Sequence, residues 1–244
     1  MKKLTALLLA VVMVVGLTAC GGTQEDINAK SEGVMTHAEY TAAALESEVT
    51  IEAYVQATQS WWQDQIVVYL QDGDGGYFAY NMACSEADAT KLVPGTKIRV
   101  KGYKAEYAGE VEIIDGTFEF LEGNYVAEAA DLTSLLGTDD MIKHQNEFAA
   151  FKGLTVVAST DADGNEVPFL YKWNGSGAEG DDVYFNVSYN GKTFTFLVES
   201  YLCGKDTEVY KAAQNLKVGD VIDVEGFVYW YDGLNPHITS IKTK

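Results

Sequence analysis

The chain has 244 residues, 47% of them hydrophobic, and carries 36 acidic against 17 basic side chains for a formal net charge of −19. Nucleic acid and anionic lipid are held through lysines and arginines that neutralise phosphates, so this excess argues against both as partners.

At the N-terminus, Lys2 and Lys3 precede an apolar run from Leu4 to Leu17 that leads into Leu17-Thr18-Ala19-Cys20. A basic start, a short apolar core and small residues before a cut describe a secretory signal over residues 1–19. The run falls short of the roughly 20 apolar residues that a membrane-spanning helix needs. A cysteine closing Leu-Thr-Ala resembles the bacterial lipobox. That resemblance implies that Cys20 becomes the lipidated first residue, carrying a diacylglyceryl group. Two acyl chains anchor firmly where one holds only marginally. The expected location is the outer face of the cytoplasmic membrane, at the cell surface. Removal of residues 1–19 takes away two lysines and leaves 15 basic against 36 acidic residues, a net −21.

Residues 20–35 are small, polar and aperiodic, and read as a lipidated tether. Thr36-His37-Ala38-Glu39 has capping-box spacing and opens a short helix over Tyr40 to Leu45, with His37 exposed in its first turn. Alternation from Val49 to Ser60 predicts a first strand, and Ile66–Leu70 and Tyr77–Met82 predict two more around the turn-rich Asp72-Gly73-Asp74-Gly75-Gly76. A helix is expected from Cys84 to Val93. Residues 124–147 form a joint with a predicted helix from Asp139 to Phe148 behind Thr138, and His144 on its solvated face. The second domain, residues 148–244, opens with a strand at Phe151–Ser159 and a long Gly- and Ser-rich connection, Thr160 to Asp182. Strands at Val183–Tyr189 and Thr193–Leu202 flank Asn190-Gly191, a strong hairpin signal. A helix from Asp206 to Leu216 follows.

One stretch occurs twice. Leu92–Ile114 and Leu216–Ile238 align without a gap, pairing Gly95 with Gly219, Ile98 with Ile222, Val100 with Val224, Gly102 with Gly226, Tyr107 with Tyr231 and Gly109 with Gly233. In each copy a helix end is followed by a glycine turn, then an alternating strand with a glycine on its buried face. A glycine there marks a bulge or tight bend, the device that curls a sheet into a barrel. Ala108-Gly109 and Asp232-Gly233 then turn into a last strand. This order resembles the second half of an OB-fold barrel, and the whole resembles tandem OB-fold lipoproteins of Gram-positive bacterial surfaces. The fold expected is mainly β: two tandem OB-fold-like five-stranded barrels, residues 36–123 and 148–244, each with a short helix between strands 3 and 4.

Catalytic motifs are missing from the sequence. It has no Gly-x-Ser-x-Gly elbow, phosphate loop or His-Glu-x-x-His, and His37, His144 and His237 lie on three separate segments. No enzyme activity and no cofactor are expected. Asp72-x-Asp74-Gly and Asp161-x-Asp163-Gly are fragments of calcium loops without the later ligands, and hairpin turns use the same residues, so no metal site is assigned. Cys84 and Cys203 fall at comparable places in the repeats and read as buried thiols. Aromatic residues carry the functional signal. In OB barrels, ligands lie on the strand 2–3 face and in the loops joining strands 1–2 and 4–5. Trp61, Trp62 and Tyr107 fall at those loops in the first domain; Tyr171, Trp173 and the run Tyr229-Trp230-Tyr231 do so in the second. Neighbours on a strand face opposite ways, so at most one of each Trp-containing pair enters a core. The expectation is a non-catalytic, lipid-anchored surface module that binds a glycan or envelope polymer. The alternatives are an adaptor that binds another envelope protein, and a single-stranded nucleic-acid binder accessory to an exported nuclease.

Overall fold

The computed structural model describes residues Asp26–Lys244. The predicted signal, Cys20 and the first part of the tether lie outside the described residues. In the first barrel, α1 (His37–Ala42) precedes β1 (Glu48–Thr58), β2 (Gln65–Gln71) and β3 (Gly76–Ala83). The single turn α2 (Glu86–Ala89) then leads to β4 (Thr96–Tyr107) and β5 (Glu110–Asn124). After β6 (Ala130–Asp131), the second half begins with β7 (Phe148–Val157). Short pairs β8 (Ser159–Thr160), β9 (Glu166–Val167) and β10 (Leu170–Tyr171) occupy its long connection. The half is completed by β11 (Val183–Tyr189), β12 (Lys192–Val198), α3 (Glu208–Gln214), β13 (Val221–Phe227) and β14 (His237–Thr243).

Hydrogen-bonded neighbours run β1-β2-β3-β5-β4, and β4 closes on β1. The second half repeats the circuit as β7-β11-β12-β14-β13, with β13 closing on β7. In each barrel the third and fifth strands pair in parallel, through Ala79–Ile113 and Leu197–His237. Both halves are therefore five-stranded OB-type barrels with the short helix between strands 3 and 4. No helix among the described residues is long and apolar enough to cross a membrane.

The repeated glycines explain the curvature. The β4–β5 register slips between Lys101 and Tyr103, and the β13–β14 register slips at Glu225–Gly226. A Cβ on Gly102 would lie 2.6 Å from the Ile114 carbonyl oxygen, and one on Gly226 would collide with the His237 carbonyl. Only glycine lets the strands approach this closely at the bend. Each barrel has its own interior: Ile51, Val68, Leu70 and Ile98 in the first, Phe151, Phe185, Phe196 and Ile222 in the second. Full burial of such side chains stabilises by about 1.5–3 kcal/mol each.

Several local expectations are corrected. The helix before β1 ends at Ala42, although its capping box forms as the spacing requires: Glu39 N–H donates to Thr36 Oγ1 (3.2 Å) and Thr36 N–H donates to Glu39 Oε2 (2.8 Å). His37 is half-buried rather than exposed, its ring edge-on to Tyr77 at 5.1 Å. Residues Asp139–His144 form a 3-10 turn, because Thr138 makes no side-chain cap and Phe148 is drawn into β7. His144 is half-buried and paired with Glu147 at 3.0 Å. The tether is docked from Asp26 onward: Lys30 donates to Asp72 Oδ2 and to the Glu52 carbonyl, both at 2.6 Å. Asp232-Gly233 turns within a longer loop, since β13 ends at Phe227 and β14 begins at His237. Cys84 and Cys203 are free and buried.

Candidate functional site

The site arises from the outer face of β2. Ile66, Val67, Val68, Tyr69 and Leu70 are all buried, although only alternate residues can face the barrel interior. Ile66, Val68 and Leu70 point inward, whereas Val67 and Tyr69 join Phe78 and Phe227 in a separate cluster between the barrels. Tyr69 stacks on Phe227 at 4.5 Å and meets Phe78 edge-on at 5.0 Å. Its hydroxyl lies 2.6 Å from His237 Nδ1 and accepts from Gln59 Nε2 at 3.1 Å. His237 stacks on Tyr229 at 4.0 Å. Complete burial pushes the imidazole pKa down to about 3, so the ring is neutral and serves the seam.

Backbone contacts lock the barrels at both ends of this cluster. Phe148 N–H donates to Gln71 Oε1 (2.7 Å), Ser60 N–H to the Tyr201 carbonyl (2.8 Å), and Asp232 N–H to the Ala108 carbonyl (2.8 Å). Trp230 N–H donates to Glu110 Oε2 at 2.9 Å. Glu110 is fully buried, and its Oε1 has no hydrogen-bond partner among the described residues. Burial raises its pKa to about 8.

Beside the seam runs an open groove of about 740 Å³ walled by Tyr80, Trp173, Tyr184, Tyr201, Tyr229 and Tyr231. Tyr80 comes from strand 3 of the first barrel and Tyr184 from strand 2 of the second, the faces that OB barrels use for ligands. Gln59, Asn235, His237 and Glu199 supply its polar lining, and among the described residues no Lys or Arg lines it. A smaller hollow of about 330 Å³ shares Gln59, Tyr80 and Tyr201 and adds Trp62, which extends the ring-bearing surface. Burial, reinforced by the Asp182 carboxylate, raises the Glu199 pKa to about 7, against the opposing pull of the Tyr201 and Leu202 N–H groups.

The structure divides the predicted ring residues. Trp173 (75% exposed) and Tyr231 (54%) enter the groove, and Trp62 (69%) enters the hollow beside it. Tyr107 stands at the rim, 6.0 Å from Tyr231. Trp61 instead packs against the first core and donates through Nε1 to the Cys84 carbonyl at 2.8 Å. Tyr171 and Trp230 pack against the second core, with the Tyr171 hydroxyl accepting from Gln214 Nε2 at 2.7 Å. Trp61, Tyr171 and Trp230 therefore lie away from the groove lining. Sequence reasoning missed Tyr80, Tyr184, Glu199 and Tyr201, whereas Tyr229, expected in the second loop beside Trp230 and Tyr231, does line the groove. The available signal was the unbroken apolar run of β2, which declares a second buried face. The two Asp-Gly turns close on themselves: Asp72 Oδ1 accepts from the Asp74 and Gly75 N–H groups, and Asp161 Oδ1 from those of Asp163 and Asn165.

No protein-family model matches the chain, and a comparison with curated proteins finds no relative. Solved structures do resemble it. The tetrameric p202 HIN2 matches at TM-score 0.32 and 12% identity, over 82% of this chain and 95% of that one. A murine DNA-binding protein bound with double-stranded DNA matches at 0.34 and 13%, over 81% and 98%. The Ifi202 HINa domain in complex with 20-bp double-stranded DNA matches at 0.33 and 9%, over 82% and 97%. These DNA-bound matches correct the expectation, drawn from the acid excess, that nucleic acid is a poor partner for a chain of this build. At such TM-scores they assign no ligand to this chain.

Proposed function

We propose that the two barrels form one non-catalytic binding module whose groove holds a glycan or envelope polymer, carried at the cell surface by lipidated Cys20. The observation behind this reading is the convergence of exposed rings from both barrels on a single groove. Flat aromatic faces stack on the apolar faces of sugar rings, and a rigid seam between two barrels presets their spacing, so little ordering is needed on binding. The anchor rests on the Leu17-Thr18-Ala19-Cys20 pattern and is independent of the groove. Titration with neutral oligosaccharides tests the reading. Tryptophan emission should change saturably, and Trp173→Ala should abolish the change without altering the melting temperature.

A second reading, single-stranded nucleic acid stacked on the same rings, is favoured by the position of Tyr80 and Tyr184 on the OB face that serves oligonucleotides as well as oligosaccharides. It predicts retardation of a labelled oligonucleotide with only a shallow dependence on salt, because among the described residues no Lys or Arg lines the groove to neutralise phosphates.

A further inference from the structure

The groove has a charge as well as a shape. Glu199 sits just after β12, 8% exposed, with Oε2 accepting from Leu202 N–H at 2.7 Å. The carboxylate that acts on it among the described residues is of the same sign: Asp182, held by Ser200 through N–H (2.9 Å) and Oγ (2.7 Å). A buried carboxylate with no cation beside it is costly. Tyr184, Tyr229 and Trp173 line the same cavity, and the negative faces of such rings attract cations, most strongly when water is excluded.

We propose that this groove recognises an organic ammonium group, with Glu199 as its counter-ion and Tyr184, Tyr229 and Trp173 as its aromatic wall. The inference rests on the ring-lined groove being a binding site, and it names the ligand chemistry. Such a group can arrive as a quaternary ammonium on a small molecule or as the amine of an unacetylated amino sugar in a polymer.

Protonation should couple to binding. The titratable groups facing Glu199 are Asp182, Tyr69, Tyr184, Tyr229 and Cys203, with His237 also in the lining. Burial raises Tyr69, Tyr184, Tyr229 and Cys203, the thiol to about 11, and depresses His237 to about 3. Glu199, raised to about 7, is thus the group that changes charge near neutrality. A quaternary ammonium does not titrate, so any pH dependence of its binding belongs to the protein.

The test is calorimetric titration of the full chain with choline and with its uncharged isostere 3,3-dimethylbutan-1-ol. A glucosamine tetramer and its N-acetylated form are run as a second pair. Choline should bind roughly tenfold or more tightly than the isostere. The affinity should rise between pH 6 and 8, and Glu199→Gln, whose amide oxygen can still accept from Leu202 N–H, should remove both the preference and the pH dependence. Tight binding of the glucosamine tetramer would place the ammonium on a polymer; binding of choline alone would make it a small molecule. If Glu199→Gln does not fold, the wild-type comparison and Trp173→Ala, which should lose choline at an unchanged melting temperature, decide the matter. Equal affinity for choline and its isostere overturns the inference. If the N-acetylated tetramer binds in that case, the groove reading survives; if no ligand and no oligonucleotide binds, both fall.

Discussion

Tyr107 and Tyr231 hold the same place in their respective repeats and meet each other, with ring centroids 6.0 Å apart and planes inclined at 57°. Their loops interlock: Gly109, at φ +88°, lies under Trp230, and a Cβ there would stand 2.9 Å from Trp230 Cδ1. Gly109→Ala is therefore both strained in the backbone and crowded against the indole. Its expected cost is about 1–3 kcal/mol, read as a lowered midpoint in urea unfolding.

The Tyr69 hydroxyl joins the two barrels through His237 and Gln59. Tyr69→Phe keeps the ring stack but leaves a buried imidazole nitrogen without its partner. A loss of about 1–3 kcal/mol is expected, with little change in ring packing. Far-ultraviolet spectra should be unchanged while the thermal midpoint falls.

Stability should peak near pH 4.5, where the two glutamates begin to lose what the histidine has gained. Glu110 and Glu199, at about 8 and about 7, titrate above the ordinary 4.5. Their protonated forms favour the folded state, and this contribution, fully present below 4.5, is lost as pH rises through 7 and 8. His237 has the opposite sign. Its folded value of about 3 lies below 6.5, so its contribution is present above 6.5 and is lost as pH falls toward 3. A melting series from pH 3 to about 9 checks both arms, and Glu110→Gln should flatten the alkaline one.

The adjacent tryptophans Trp61 and Trp62 should separate cleanly. Trp61→Ala removes a packed ring and its bond to the Cys84 carbonyl, so it should lower the melting temperature by several degrees. Trp62→Ala, at an exposed site beside the groove, should leave the melting temperature within a degree or so. Differential scanning calorimetry of the two variants makes the comparison.

The barrel architecture was legible because its devices are local. Gly102 and Gly226 sit in strands at the same offset from a helix end, and Asn190-Gly191 dictates a two-residue hairpin whose residues take φ +49° and +74°. The groove was legible only in part. Alternation says that one of Trp61 and Trp62 faces out, but both lie in the loop between β1 and β2, where the Trp62–Gln65 bridge closes the turn and no periodicity says which ring packs inward. Glu199, Tyr80 and Tyr229 converge from positions far apart in the chain because the seam holds the barrels at one angle, and no periodicity encodes that angle. The longer loop after Phe227 escaped for a similar reason: the Asp232-Gly233 turn was visible, but the loop's docking onto Ala108 and Glu110 was not.

The proposed anchor at Cys20 can be tested separately from the seam. Cys20→Ala should move the protein from the membrane fraction to the medium without changing its melting temperature, and fractionation with immunodetection measures the shift.

The shared groove is tested most directly by the four indole N–H resonances of a ¹⁵N-labelled sample, assigned with single Trp→Ala variants. Titration with an oligosaccharide, choline or a single-stranded oligonucleotide should move the Trp173 signal progressively for at least one of them, leaving Trp61 in place. A Trp173 signal that stays fixed under all three, or a response that begins at Trp61, would contradict the account.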